Sequence, residues 1–160
     1  TPMQWTGDLP GAGFSDANPY LFNQPIPCAP PYGVEQVNVV GQQADPNSLL
    51  NWLRHTLYQR RRHDVFGLGE FRQLECADEI MAFTRTRGST KVVCLNNLTG
   101  WPQLAQVKLP KVEGRMPAVI SGSIPEAPEV ITEDYQIELP PYGYVWLLFA
   151  DPPAVEAARN

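Results

Sequence analysis

Along residues 1–44 the apolar side chains follow neither a period of two nor one of 3.6. Trp5, Phe14, Tyr20, Leu21, Phe22, Ile26 and Tyr32 are scattered among Gly7, Pro10, Gly11, Gly13, Pro19, Pro25, Pro27, Pro30, Pro31 and Gly33. A stretch so punctuated forms no long helix and no central strand, while its aromatic content sets it apart from low-complexity sequence. An ordered loop that needs a surface to lie on is expected, because structureless segments of this length are uncommon in compact domains unless they are functional. Over residues 45–63 the pattern turns helical: Leu49, Leu53 and Leu57, flanked by Leu50 and Trp52, form an apolar stripe. Asp45 is the expected N-cap and Pro46 the first helical residue. Arg60, Arg61, Arg62 and His63 complement the helix dipole at the other end, and Gly67 and Gly69 close the segment.

From residue 70 to 149 the pattern shortens to strands, predicted at 71–76, 79–85, 90–96, 103–109, 117–121, 135–139 and 143–149. Ile80, Ala82 and Phe83 stand among polar neighbours, and Val107 with Leu109, then Tyr135, Ile137 and Leu139, alternate with polar residues. Arg87-Gly88-Ser89 and Thr99-Gly100 supply turns. Short strands at this spacing predict an antiparallel β-sandwich or barrel. Trp52 and Trp146 are expected in the core because their neighbours are rich in leucine. No internal repeat is present, and residues 151–160 read as a frayed tail.

Composition narrows the picture. A chain of 160 residues suggests one domain, or one with an appendage, and falls short of the roughly 250 residues of a TIM barrel. Its 17 prolines make it unlike a long helical bundle, since proline breaks helix interiors. The formal charge of -5 argues against a nucleic-acid binder, which carries a basic excess. Cys28, Cys76 and Cys94 are too few and too widely spaced for a zinc pattern or a complete disulfide set, so reduced thiols in a cytoplasmic protein are expected. No window approaches 18 continuous apolar residues, so no membrane partner is expected.

Candidate chemistry is sparse. Asp8 and Asp16 lie in the glycine-rich loop, and Glu126, Glu129, Glu133 and Asp134 in a proline-broken acidic stretch. Nothing ties either set into the facing carboxylate pair that glycosidic chemistry requires, and both read as solvated surface. His55 and His63, eight residues apart, miss the spacing of three or four that joins two helical metal ligands. The arginine run either meets an acidic partner or is a solvated helix end. Trp101, in the turn Thr99-Gly100-Trp101-Pro102, either stacks on a sugar ring or covers a sheet edge.

A resemblance orders these parts. Thr1-Pro2-Met3-Gln4-Trp5 followed by Ala12-Gly13-Phe14-Ser15 resembles the "RTPMQW…AGFS" signature of the alpha-amylase superfamily. Pro31-Tyr32-Gly33, Val37-Asn38-Val39 and Gln42 resemble the "YG…VNVEAQ" stretch that follows it there. Residues 45–52, Asp-Pro-Asn-Ser-Leu-Leu-Asn-Trp, resemble the "DPxSLLNW" start of the last barrel helix. Residues 66–71 resemble the "GxGxF" entry to the C-terminal domain, and residues 139–146 its "LPPYGxYW" final strand. Within the superfamily the pattern is most like that of trehalose synthases, with oligo-1,6-glucosidases and alpha-glucosidases beside them. Two departures stand out: Val40-Gly41 replaces Glu-Ala, and Gly11 replaces the usual Asn.

The resemblance implies a mainly β fragment: an antiparallel β-sandwich of the alpha-amylase C-terminal type, preceded by a long loop and one α-helix left over from a TIM barrel. Its divisions are the loop after the last barrel strand (1–44), the last barrel helix (45–66), the sandwich (67–150) and the tail (151–160). The catalytic carboxylates of the family lie upstream of these motifs, so no catalytic residue, metal site or cofactor is expected in this chain, with calcium left open for the parent enzyme. That parent would rearrange or hydrolyse α-glucosidic bonds by a retaining mechanism, with maltose, trehalose or short α-glucosides as substrates. Gln4 and Trp5 are the residues expected to border the sugar cleft, Gln4 through hydroxyl hydrogen bonds and Trp5 beside a ring, unless Met3, Trp5 and Phe14 only wedge the loop onto the barrel. The missing barrel is the expected intramolecular partner. Without it, the leucine stripe is expected to drive self-association.

Overall fold

A computed structural model describes residues 1–8, 10–109, 112, 117–124 and 133–149. The chain divides into two compact units, one spanning Thr1–Leu57 and the other beginning at Tyr58.

The first unit holds a 3-10 turn, Pro19–Leu21, and the helix α1, Val39–Ala44; the longer helix α2, Leu49–Arg62, starts within it. The remainder is loop, as the irregular pattern predicts, with Pro30–Pro31 joined by a cis peptide bond. Its core is small: Ala12, Ile26 and Val34, with Phe22 packed against them. Phe22 also meets Phe14 edge-on, with ring centroids 5.7 Å apart.

The helix boundaries differ from those expected. Asp45 does not cap α2; its Oδ1 accepts from the Asn47 N–H at 2.9 Å, closing a turn ahead of the helix. The cap is Ser48, whose Oγ accepts from the Asn51 N–H at 3.2 Å, while Gln42 Oε1 takes the Leu50 N–H at 3.0 Å. Ser48 wins because it is buried and anchored, its own hydroxyl donating to the Gln42 carbonyl at 2.6 Å. Asn51 reinforces the turn, donating to the carbonyls of Gln42, Gln43 and Asp45. No residue of α2 is buried. Trp52, expected in the core, is 43% exposed, as are much of Leu49, Leu53 and Leu57, because the whole helix presents its stripe outward.

The second unit is the sandwich. After the short helix α3, Val65–Leu68, come β1, Glu70–Gln73; β2, Ile80–Arg87; β3, Thr90–Asn97; β4, Gln103–Lys108; β5, Ala118–Gly122; β6, Asp134–Leu139; and β7, Tyr144–Phe149. All seven predicted strands are present. Five form an antiparallel sheet in the order β1-β2-β3-β7-β5, and β4 pairs with β6 in a second. Alternation places Ile80, Ala82, Val93, Leu95, Val145, Leu147 and Phe149 between the sheets, against Ala105, Val107, Tyr135 and Leu139 of the second sheet. Phe83, grouped with Ile80 and Ala82 in the sequence, falls on the opposite face, as the period of two requires. That face also carries Val92, Cys94, Trp146 and Leu148, and Val65 and Phe66 of α3 cover it. Trp146 is half-buried there, its ring 5.0 Å from that of Phe66. The central strand β3 is covered on both faces, which is why it reads as the unbroken run Val92-Val93-Cys94-Leu95. Glu126, Glu129 and the tail 151–160 lie outside the described residues.

Candidate functional site

In the first unit, Gln4 and Trp5 sit on a backbone tied at both ends. The Trp5 and Thr6 N–H groups both donate to the Ala12 carbonyl, at 2.9 and 3.1 Å, and the Ala12 N–H returns to the Asp8 carbonyl at 2.8 Å. This brings Gly13, at φ +68°, against Trp5: a Cβ there would lie 3.1 Å from Trp5 Cβ. The Gln4 and Trp5 carbonyls accept from the Val39 and Val40 N–H groups, at 2.9 and 3.0 Å. Those are the first two donors of α1, which a helix cannot satisfy internally. Asn38 completes the cap, its Oδ1 accepting from the Gly41 N–H at 2.7 Å. The Val40-Gly41 departure thus falls in the first turn of α1.

The pattern alone did not signal this junction of α1 with the opening segment. The side chains at it differ in freedom. Gln4 is half-buried and donates to the Tyr32 carbonyl at 3.1 Å, leaving its Oε1 as the acceptor beyond that bond. Trp5 is 48% exposed on a fixed backbone, so its ring offers an open edge or face without a large ordering cost.

In the second unit, Trp101 is 75% exposed, yet its backbone is held from within. The carboxamide of Asn97, itself only 3% exposed, donates to the Trp101 carbonyl at 2.6 Å and to the Pro140 carbonyl at 2.9 Å. Its Oδ1 accepts from both the N–H and the Oγ1 of Thr99 at 2.9 Å. The Tyr142 N–H donates to the Thr99 carbonyl at 2.9 Å, and the Tyr142 ring packs over Gly100. Trp101 and Tyr142 are therefore two exposed aromatics on neighbouring turns, β3–β4 and β6–β7, that hydrogen bonds tie together.

The basic run ends α2 in the open; Arg62 reaches back to the Tyr58 hydroxyl. Partial burial, and then the adjacent Arg62 charge, lower the His63 pKa. Among the described residues no three His, Cys, Asp or Glu side chains cluster as a metal site, and no helix is long and apolar enough to cross a membrane.

The strand order and the two exposed sites can be set beside known proteins. The family model for the maltogenic amylase C-terminal domain matches residues 71–146. Those residues are similar to a maltogenic amylase C-terminal domain. The chain is 37% identical to a trehalose synthase of Pimelobacter sp. (strain R48), over 95% of this chain and 27% of that protein. It is 36% identical to the trehalose synthase/amylase TreS of Mycolicibacterium smegmatis, over 100% of this chain and 28% of that protein. The fold matches a solved trehalose-6-phosphate hydrolase of Bacillus licheniformis, with a TM-score of 0.70 and 23% identity over 94% of this chain and 26% of that one. The chain thus corresponds to a C-terminal region of alpha-amylase family proteins, and it spans about a quarter of the length of the relatives it matches. The matched stretch runs from the second residue of β1 to the middle of β7, with α3 just ahead of it.

Proposed function

We propose that this chain works as the C-terminal region of a cytoplasmic enzyme that rearranges α-glucosidic bonds, interconverting maltose and trehalose by a retaining mechanism. The observation that carries this reading is the identity to trehalose synthase along 95% of the chain, which takes in the loop and helix as well as the sandwich. In this reading residues 1–44 border the sugar cleft, 45–66 are the last helix of a barrel supplied by the rest of the enzyme, 67–150 stabilise that barrel and 151–160 are a tail. Gln4 and Trp5 face the sugar. The exposed Leu49, Leu53 and Leu57 stripe is the surface the barrel covers. Grafting this chain in place of the matching segment of the Pimelobacter trehalose synthase tests it. The chimera is expected to convert maltose to trehalose, with Trp5→Ala raising KM more than it lowers kcat. The 160 residues alone are expected to turn over neither sugar. A soluble but inactive chimera, or turnover by the purified chain, refutes the reading.

The uncovered stripe also leads us to expect that the isolated chain self-associates. Light scattering should show a dimer or larger species that Leu53→Glu dissociates, and a strict monomer at high concentration counts against it. A second reading, favoured by the 75% exposure of Trp101 on its pinned turn, makes the sandwich a carbohydrate-binding module. Maltose should then quench tryptophan fluorescence saturably in the parent chain and not in Trp101→Ala.

A further inference from the structure

Three connections meet at one end of the sandwich: 77–79 ahead of β2, 98–102 after β3 and 140–143 ahead of β7. The Leu98 N–H donates to the Glu79 carbonyl and the Tyr142 N–H to the Thr99 carbonyl, both at 2.9 Å, so the three form one surface. Leu98, Trp101 and Tyr142 each stand more than half exposed on it. Across residues 77–80, 96–104 and 138–144 the charged side chains are Asp78, Glu79 and Glu138, all exposed and all acidic. We propose that this surface docks an arginine-bearing apolar segment of a separate protein.

The chemistry selects arginine. A guanidinium stacks on the faces of tryptophan and tyrosine, and its planar fork pairs with a carboxylate through two parallel hydrogen bonds. Apolar residues on the same segment cover Leu98. The carboxylates repel anionic partners such as nucleic acid or an acidic membrane, and they give a neutral ligand no advantage. The chain enters the sandwich at the opposite end, where Val65 and Phe66 of α3 pack with Val92 and Arg87 pairs with Asp64. Strand β2, 8 residues long, sets that entry about 26 Å from this surface, which leaves the surface open to another chain.

The surface is ordered before any partner arrives, which favours aromatic anchors because little freedom is lost on binding. The buried Asn97 carboxamide holds the Trp101 and Pro140 carbonyls. Tyr142 is an independent sign. Its φ of +53° lies in the left-handed region, which glycine enters readily and an aromatic residue rarely does. Its ring packs over Gly100, the hydroxyl 3.2 Å from where a Cβ on that glycine would stand. Strain of this kind gathers at sites of function, and here it holds an exposed ring in place. The inference rests on this end of the sandwich alone and not on the function proposed above.

The test is a titration of the ¹⁵N-labelled 160-residue chain, followed by NMR, with end-blocked hexapeptides that alternate leucine with arginine, lysine or glutamate, and with maltotriose. The arginine peptide is expected to give saturable shifts at the Leu98 to Trp101 and Tyr142 amides and at the Trp101 indole N–H. The lysine peptide should bind at least threefold more weakly and the glutamate peptide not at all. Glu79→Gln should weaken arginine-peptide binding severalfold and Trp101→Ala at least tenfold. Tyr142→Gly relieves the positive φ, so it should keep the fold by near-UV circular dichroism and still weaken binding severalfold, whereas Leu53→Glu should leave binding unchanged. The proposal is overturned if the arginine peptide does not bind, if either other peptide binds as well, if binding survives Trp101→Ala and Tyr142→Gly, or if maltotriose alone moves these residues. Shifts there that grow on concentrating the chain without peptide would assign the surface to a second copy and also overturn it. Each result leaves the chimera assay for the parent enzyme unaffected.

Discussion

Asn97→Ala should unpin the turn that carries Trp101, and the structure allows its cost to be worked out. The side chain is 3% exposed and makes four short hydrogen bonds: two as donor, to the Trp101 and Pro140 carbonyls, and two as acceptor, from Thr99. Each is worth about 1 kcal/mol net, more where the partner left behind stays buried. Water will reach part of the vacated site, since Trp101 and Pro140 are exposed. The expected loss is therefore about 2–4 kcal/mol, read as a fall in the denaturant midpoint with little change in slope. Thr99→Ala keeps the two donor bonds of Asn97 but loses the hydroxyl's contacts with Asn97, the Trp101 carbonyl and the Gln103 amide, so about 1–2 kcal/mol is expected. The double variant should cost less than the two singles together, because both remove the same Thr99 contact. Asn97→Asp keeps the acceptor but buries a charge without its carbonyl partners, and should be no better than alanine. A loss below about 1 kcal/mol for Asn97→Ala, or strict additivity with Thr99→Ala, would refute the view that this carboxamide holds the turn.

Three further outcomes are expected. Leu147→Ala empties a fully buried position between the two sheets and should cost about 3 kcal/mol in chemical unfolding; a cost near that of a surface substitution contradicts the assigned core. Burial pushes the Cys94 thiol up to about 12, against an opposing effect of Arg85, and burial alone pushes the Tyr135 phenol to about 12. Both groups keep their protons in the folded state while the unfolded chain loses them from pH 9 or 10 upward. Their stabilising effect is therefore complete below pH 9 and is lost as pH rises toward 12. Cys94→Ala should flatten the stability profile between pH 9 and 11, and an unchanged slope refutes the assignment. Gly13→Val forces a branched residue to φ +68° and sets a Cβ 3.1 Å from Trp5 Cβ. The cost of about 1–2 kcal/mol should speed hydrogen exchange at the Trp5 and Thr6 amides about tenfold or more, and unaltered exchange there rules the crowding out.

The sandwich was legible in the sequence because its stability comes from a repeating pattern. Alternation along β4, β6 and β7 puts one side of each strand into a common core, and a one-residue slip would expose that whole set. The two errors of placement have physical causes. Phe83 shares a strand with Ala82, and adjacent strand residues face opposite ways, so they cannot share a layer. Trp52 looked buried because its neighbours are leucines, but leucines bury only when another surface covers them. The described chain buries no residue of α2. The same ambiguity hid the true cap of that helix, because Asp45 and Ser48 are both good N-caps and only the tertiary bond from Ser48 to the Gln42 carbonyl separates them.

The first unit was legible only as an absence of pattern, and its construction explains why. Three buried apolar residues form its core, too few to fix a conformation by burial, and specific backbone bonds take their place. Ala12 receives two N–H groups on one carbonyl, and the opening segment lends its Gln4 and Trp5 carbonyls to the start of α1. Bonds of this kind join residues as far apart as Trp5 and Val40 and depend little on side-chain identity, so hydropathy does not report them. What the sequence does record is the chemistry that permits them: a glycine at the positive-φ position 13 and an asparagine at the α1 cap. The candidate sugar-facing pair follows from the same economy: Gln4 and Trp5 use their backbone groups to hold the fold, which leaves the Trp5 ring and one Gln4 amide oxygen for a ligand.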